Sequence, residues 1–234
     1  MIEIKNVVKK YGDKKALDDV SFVVNDGEIF AFIGHNGAGK TTLIKAIVGI
    51  HDFDEGEILI NGRSIREDSI ECKKDMAYVP DNPELYENMK AIDFIDFICD
   101  MYEVDQKTRE KNIRKYAELF EIDKNLNDVI SSFSHGMKQK VALIAALSHD
   151  PKILVMDEPF VGLDPKAVFD VKKVMNEMVK EGKIIFFSTH ILDVAEKLCS
   201  RVAIIKKGKL VKTGSMKDIK GDKSLEKVFL ELEG

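Results

Sequence analysis

The stretch that most constrains this chain is Gly34-His35-Asn36-Gly37-Ala38-Gly39-Lys40-Thr41-Thr42. Before it stands an apolar run, Glu28-Ile29-Phe30-Ala31-Phe32-Ile33, that reads as a buried strand. After it, Leu43-Ile44-Lys45-Ala46-Ile47-Val48 reads as a helix. Strand, Gly-rich loop closing on Gly-Lys-Thr, and helix are the parts of a phosphate-binding P-loop in the order it requires. Gly34, Gly37 and Gly39 let the backbone bend and approach a polyphosphate closely. The N–H groups of the loop, from His35, Asn36 and Ala38 through Thr42, and the helix N-terminus then point at the anion. Lys40 supplies a point charge for the outer phosphates, and the Thr41 hydroxyl can ligate Mg²⁺.

Composition narrows the setting. With 234 residues, 44% hydrophobic and 33% charged, the chain has the make-up of a soluble globular protein of one large or two small domains. Net charge is −5 and Lys and Arg are spread along the chain, so no nucleic-acid partner is expected. The longest apolar run, Val141 to Leu147, is too short to span a bilayer, and the N-terminus carries no signal-peptide pattern. Cys72, Cys99 and Cys199 are isolated, which argues against disulfides or zinc and fits a reducing cytoplasm. Any membrane role is expected to come through a separate partner chain.

Along the chain, Ile2 to Val7 alternates as a half-exposed strand, and Tyr11-Gly12-Asp13 is a turn. Val20 to Val24 reads as a strand closed by Asn25-Asp26-Gly27, a hairpin signal, so antiparallel strands are expected before the P-loop strand. Tyr11 fits either a base-stacking residue or plain packing. Gly49 is placed to end the P-loop helix. Asp54 to Gly62 reads as turn, strand, turn, and Met76 to Val79 as a short strand stopped by Pro80 and followed by the loop Asp81-Asn82-Pro83-Glu84.

From about 89 to 149 the pattern is helical. In the first helix, Met89 to Glu103, Asp93, Asp96, Asp100 and Glu103 fall on one stripe, while apolar residues cover an arc of about 220°. An ordinary surface helix needs an arc only somewhat above ~100°, so this one is either buried between two neighbours or docks a partner. A second helix runs from Asp105 to Phe120, and a third from about 135 to 148 with Ser134 as its N-cap. Lys152 to Pro159, an apolar run ending in the carboxylates of Asp157 and Glu158, reads as a buried parallel strand whose acids lie at its carboxyl end, where open α/β sheets bind ligands. A helix follows over Lys166 to Lys180, then a buried strand, Lys183 to Thr189, with His190 at its tip. A hairpin about Lys207-Gly208 and a short helix, Leu225 to Leu232, close the chain.

The carboxylates suit hydrolysis of a nucleoside triphosphate. An Asp after four apolar residues, as Asp157 is, binds the Mg²⁺ bridging the outer phosphates, directly or through water. Glu158 can act as general base toward a water. Asp-Glu after a strand also fits a helix N-cap pair; the P-loop upstream favours chemistry. His190, on a strand expected beside Glu158, can hydrogen-bond a γ-phosphate or orient the attacking water.

These residues together resemble the ATP-binding cassette ATPases, the nucleotide-binding subunits of ABC transporters. Gly34 to Thr42 is similar to their Walker A, Ile153 to Asp157 to Walker B, and Glu158 to the catalytic Glu. Ser134-His135-Gly136-Met137-Lys138-Gln139 stands at the signature loop, Gly162-Leu163-Asp164 at the D-loop and Thr189-His190 at the switch. Tyr11 resembles the aromatic residue that stacks on adenine. Two positions depart. The usual Leu-Ser-Gly-Gly-Gln reads Phe133-Ser134-His135-Gly136-Met137, where His135 either weakens dimerisation or adds a donor. Asp81 replaces the usual Gln, a Mg²⁺ and water contact.

The resemblance implies an α/β fold: a P-loop NTPase (RecA-like) core with an antiparallel β subdomain, residues 1–86 and 150–234, and an inserted α-helical subdomain, 87–149, bearing the signature. It implies ATP and Mg²⁺ as cofactors. It also implies a head-to-tail homodimer or heterodimer with two ATP between P-loop and partner signature, where Ser134, Gly136 and Asp164 reach the nucleotide. Hydrolysis then drives a transmembrane permease subunit to which the cassette is bound at the inner face of the cell membrane. The ending Ser224 to Leu232 and the compact Tyr78 to Tyr86 segment are similar to ABC-2 exporters of drugs, antibiotic peptides or sodium. The competing classes are a soluble ABC protein of translation or DNA repair, which usually has two cassettes or coiled-coil arms, and a nucleotide-gated regulator that barely hydrolyses.

Overall fold

A computed structural model describes residues 1–233. The chain opens with β1 (Ile2–Tyr11) and β2 (Lys14–Val24), paired antiparallel across the tight turn at Gly12 and Asp13. β3 (Ile29–Ile33) feeds the Gly-rich loop and α1 (Lys40–Ile47). Next come β4 (Glu55–Ile60), the two-residue β5 (Arg63–Ser64), α2 (Ser69–Lys74) and β6 (Met76–Val79). Three helices follow, α3 (Ala91–Met101), α4 (Gln106–Leu119) and α5 (His135–Ser148). The chain then alternates: β7 (Ile153–Asp157), α6 (Pro165–Lys180), β8 (Ile184–Thr189), α7 (Leu192–Leu198) and β9 (Arg201–Lys206). It finishes with β10 (Lys209–Ser215), α8 (Met216–Lys220) and α9 (Leu225–Glu233).

Two sheets result. One is antiparallel, in the order β2-β1-β4-β5; the other is β10-β9-β3-β8-β7-β6, parallel except for β10. The parallel sheet is covered on both faces, which is why its strands read as unbroken apolar runs. Phe30, Phe32 and Phe186 face one core, shared with α1 and the antiparallel sheet; Ala31, Ile33 and Phe187 face the other, shared with α3, α5 and α6. Phe22 of β2 joins the sheets, stacking on Phe30 at 5.2 Å and Phe32 at 5.6 Å between ring centroids.

The expected hairpin at Asn25-Asp26-Gly27 is corrected. β2 pairs with β1, whereas β3 pairs with β8 and β9, so this turn carries the chain from one sheet to the other. The cause is burial: β3 is buried at all five positions, and only the sheet covered on both faces accommodates that. Asn25 N donates to Glu28 Oε2 at 3.0 Å, and Arg201 pairs with the same oxygen at 3.2 Å, fixing the crossing.

α3 starts two residues later than its apolar pattern. Met89 O accepts from Ile130 N at 2.9 Å and Ala91 N donates to Asp128 O at 3.1 Å, so the residues before the helix are held extended. Its acidic stripe faces α4, where Asp96 and Asp100 both pair with Arg109. The wide apolar arc divides: Phe94, Ile95 and Cys99 are buried, while Phe97 and Met101 are exposed. Gly49, at φ 65°, follows the end of α1 in the left-handed region that position favours.

Candidate active site

The Gly-rich loop lies in a tight seat between the end of β9 and the start of β2. A Cβ on Gly34 would come within 2.7 Å of Ile205 O, and one on Gly39, at φ 116°, within 2.5 Å of Ala16 O. Only glycine fits either position. Gly208 N donates to Ala38 O at 2.9 Å and closes the seat. Lys40, 6% exposed, donates to Gly34 O at 2.7 Å and His35 O at 3.3 Å, and lies 3.3 Å from Glu158 Oε1. Thr41 Oγ1 donates to Asp157 Oδ2 at 2.7 Å, although the two stand 116 positions apart in the chain.

β7 ends on Asp157. Successive strand residues point to opposite faces, but Glu158 takes a left-handed φ of 48°, and both carboxylates line one cleft. The neighbouring strand holds them there. Ser188 of β8 donates to Asp157 Oδ1 and accepts from Glu158 N. His190, just beyond β8, donates from its backbone to Glu158 Oε2 at 3.2 Å, and its Nδ1 lies 2.9 Å from the same oxygen. The sequence-based placement of His190 beside Glu158 is what the parallel pairing of β7 and β8 produces.

The cleft, of 490 Å³, is lined by Tyr11, Asn36, Gly37, Gly39, Lys40, Thr41, Thr42, Asp81, Asp157 and Glu158, all singled out from sequence, and by Lys14 and Ala16. Lys14 faces Tyr11 across the turn, a pairing that the Gly12-Asp13 signal alone could have supplied. Ala16, whose carbonyl bounds the seat of Gly39, leaves no mark in the sequence. Gly34, Ala38 and His35 shape the loop without lining the cleft. The His35 ring turns away, edge-on to Phe229 of α9 at 4.8 Å, so the residue shapes the loop through its backbone.

Ser134, Gly136 and Asp164 lie outside the cleft, clustered at a separate surface. Ser134 caps α5, accepting from Met137 N at 3.3 Å. Asp164 caps α6, accepting from Ala167 N at 2.8 Å, and meets Lys140 at 3.1 Å; these contacts hold its carboxyl below the usual range. A Cβ on Gly136 would lie 2.8 Å from Gly162 O, and one on Gly162 would lie 2.5 Å from the His135 ring. His135 is therefore accommodated by the bare Cα of Gly162.

The residues fit Mg²⁺ by the chemistry of the donor set: a carboxylate and a hydroxyl in contact, both hard oxygen donors, beside a loop built for phosphates. Mg²⁺ is usually held by one or two carboxylates plus substrate phosphates. No cluster of three or more metal-ligating His, Cys, Asp or Glu side chains occurs among the described residues. Negative charge accumulates here. Burial first, then the Asp157 and Glu158 carboxylates, push the Asp81 carboxyl above its ordinary value. The Tyr78 hydroxyl is buried without a hydrogen-bond partner among the described residues; burial, Asp157 and Asp81 push it up.

A parallel sheet with a P-loop, and a carboxylate pair at the end of the strand next but one, defines a nucleotide-hydrolysing P-loop ATPase. Within that class the chain belongs to the ABC transporter family, whose model matches residues 17–161. It is 35% identical to YhcH of Bacillus subtilis (strain 168), an uncharacterized ABC transporter ATP-binding protein, over all of this chain and 75% of YhcH. It is 32% identical to the linearmycin resistance ATP-binding protein LnrL of the same organism, over 94% of this chain and 70% of LnrL. A solved ATP-binding subunit of an ABC transporter superposes with a TM-score of 0.96 at 34% identity, covering all of both chains. The fold class is therefore the expected one, and the regulator with little hydrolysis is not favoured. No helix among the described residues is long and apolar enough to cross a membrane.

Proposed function

We propose that the chain binds and hydrolyses ATP in the 490 Å³ cleft to power a separate transmembrane permease. The observation that carries this is the meeting of loop and strand: Thr41 Oγ1 2.7 Å from Asp157 Oδ2, with Lys40 Nζ 3.3 Å from Glu158 Oε1. The Gly34–Thr42 backbone and Lys40 hold the outer phosphates, and Tyr11 stacks on the adenine. Thr41 and Asp157 would hold Mg²⁺, with Asp81 adding a contact directly or through water; the ion neutralises phosphate charge when bound. Glu158 takes a proton from a water whose oxygen attacks the γ-phosphorus, and the bond to the β–γ bridging oxygen breaks. His190, on Glu158 Oε2, fixes the direction in which that carboxylate points.

In this reading Ser134, Gly136 and Asp164 act across a head-to-tail dimer, on the nucleotide of a second cassette, either a copy of this chain or a homologue. Their clustering outside the cleft supports it. The helical part, 87–149, then moves as a signature subdomain on a core of 1–86 and 150–234. The permease seats in the apolar groove lined by Leu85, Phe94, Ile98 and Tyr102, with Tyr86, Phe97 and Met101 exposed at its side. That places the cassette in the cytoplasm, against the inner face of the membrane. Export of a drug-like or peptide substrate is supported by the likeness to a linearmycin resistance protein.

Glu158→Gln keeps the shape and removes the base. It should bind ATP, hydrolyse it about 10²–10⁴-fold more slowly, and accumulate an ATP-bound dimer on gel filtration. Unchanged hydrolysis would remove Glu158 as the base.

A further inference from the structure

Tyr11 ends β1 and is 49% exposed, so packing alone does not fix its ring. Two side chains do so instead. The Tyr11 hydroxyl lies 3.1 Å from His51 Nδ1, donating to it or accepting from it according to tautomer. The Lys9 ammonium stands over the ring, 5.4 Å from its centroid, and is itself held by Asp54 at 3.7 Å. With a cation over one face, the opposite face is left to a planar ligand.

His51 is not on a loose loop. Its N–H donates to Lys45 O at 3.0 Å, in the turn that finishes α1. Three residues on, Asp54 N donates to Val8 O at 2.7 Å and Asp54 Oδ2 accepts from Lys10 N at 2.5 Å, lacing this segment to β1. The helix that presents Lys40 at its first turn thus presents His51 just past its last. Eight residues span about 12 Å, comparable to the reach from the outer phosphates of a nucleotide to its base.

We propose that His51 is a positioning residue for base recognition: it holds the Tyr11 ring in the stacking orientation, so one helix sets both the phosphate seat and the base platform. This rests on the reading of Tyr11 as the base-stacking residue. A freely rotating ring must be ordered when the base arrives, and a ring already tethered avoids that loss. His51 therefore acts on the base-bearing part of the ligand alone.

The test compares affinities for ATP and for inorganic triphosphate by calorimetry. Tyr11→Phe and His51→Ala should each weaken ATP about two- to tenfold, the scale of one net hydrogen bond. Both should leave triphosphate binding unchanged. The double variant should be no weaker than either single one, and His51→Asn, which offers an amide near the Nδ1 position, should recover part of the loss. Equal losses for both ligands, or ATP affinity unchanged in Tyr11→Phe and His51→Ala while Tyr11→Ala is weakened, would overturn the tether alone. Wild-type ATP affinity in Tyr11→Ala would overturn the stacking reading itself.

Discussion

Lys40 and Lys14 are the cations lining the cleft, and only Lys40 is buried in the loop itself. Its ammonium is already aligned by two loop carbonyls, so outer phosphates meet a charge fixed in place. Lys40→Ala removes several charge-assisted contacts at once and should lower ATP affinity by about 100-fold or more in calorimetry. Wild-type affinity would remove the loop from nucleotide binding. Asp81 poses the opposite problem, since it adds a carboxylate whose proton affinity is already pushed up, by burial first and then by its two carboxylate neighbours. With no cation between them, like charges repel, so metal-free ATP should bind poorly. ATPase rate should rise with free Mg²⁺ more steeply in the wild type than in Asp81→Gln, which offers a neutral oxygen instead. Superimposable curves would leave Asp81 as a loop residue.

Among the elements, the junction of α3 and α5 carries a titratable group inside an apolar contact. His149, after the end of α5, stacks on Tyr102 with ring centroids 3.7 Å apart and planes 9° apart, and the Tyr102 hydroxyl donates to Met76 O at 3.1 Å. Burial pushes His149 from its ordinary 6.5 down to about 4. The folded protein therefore keeps this ring neutral where the unfolded chain protonates it. Stability from this site is full above pH 6.5 and is lost as pH falls from there to about 4, below which both states are protonated. The total is at most about 3–4 kcal/mol. His149→Phe keeps a stacking ring without the titration, so its urea midpoint should fall less between pH 7 and pH 5 than that of the wild type. Parallel shifts would show that other groups control acid stability.

At the scale of the molecule, the exposed side of α3 adjoins the groove between β6, α3 and α5, and Tyr86 meets both Phe94 and Phe97 edge-on across it. A permease seated there would cover apolar surface that this chain leaves open. Single Cys substitutions at Leu85, Tyr86 and Phe97, placed in the assembled transporter, should give crosslinks to the membrane subunit. Crosslinks confined to β1, β2 or β10 would move the interface elsewhere. The native cysteines do not compete strongly, because Cys72, Cys99 and Cys199 are all buried.

The sequence by itself determined the parts whose causes are local. The Gly-rich loop, the cap at Ser134, the stop at Pro80 and the buried runs of β3, β7 and β8 follow from backbone conformation, capping chemistry and apolar period. The short helices α2, α7 and α8 escaped that reading, because five to seven residues give too few turns for a period to show. Tertiary structure alone decided which sheet each strand joins, so a hairpin signal at Asn25-Asp26-Gly27 became a bridge between sheets once β3 had to be buried on both faces. It also divided the over-wide arc of α3 into a buried part and an exposed one, which turns on what lies across from each residue. The active site needed both: the sequence supplied Thr41, Asp157, Glu158 and His190 by type, and the pairing of β8 with both β3 and β7 brought them within hydrogen-bonding distance. The tether from His51 to Tyr11 belongs to the fold alone, since a contact between a strand end and a helix end leaves no periodic or motif signal in either segment.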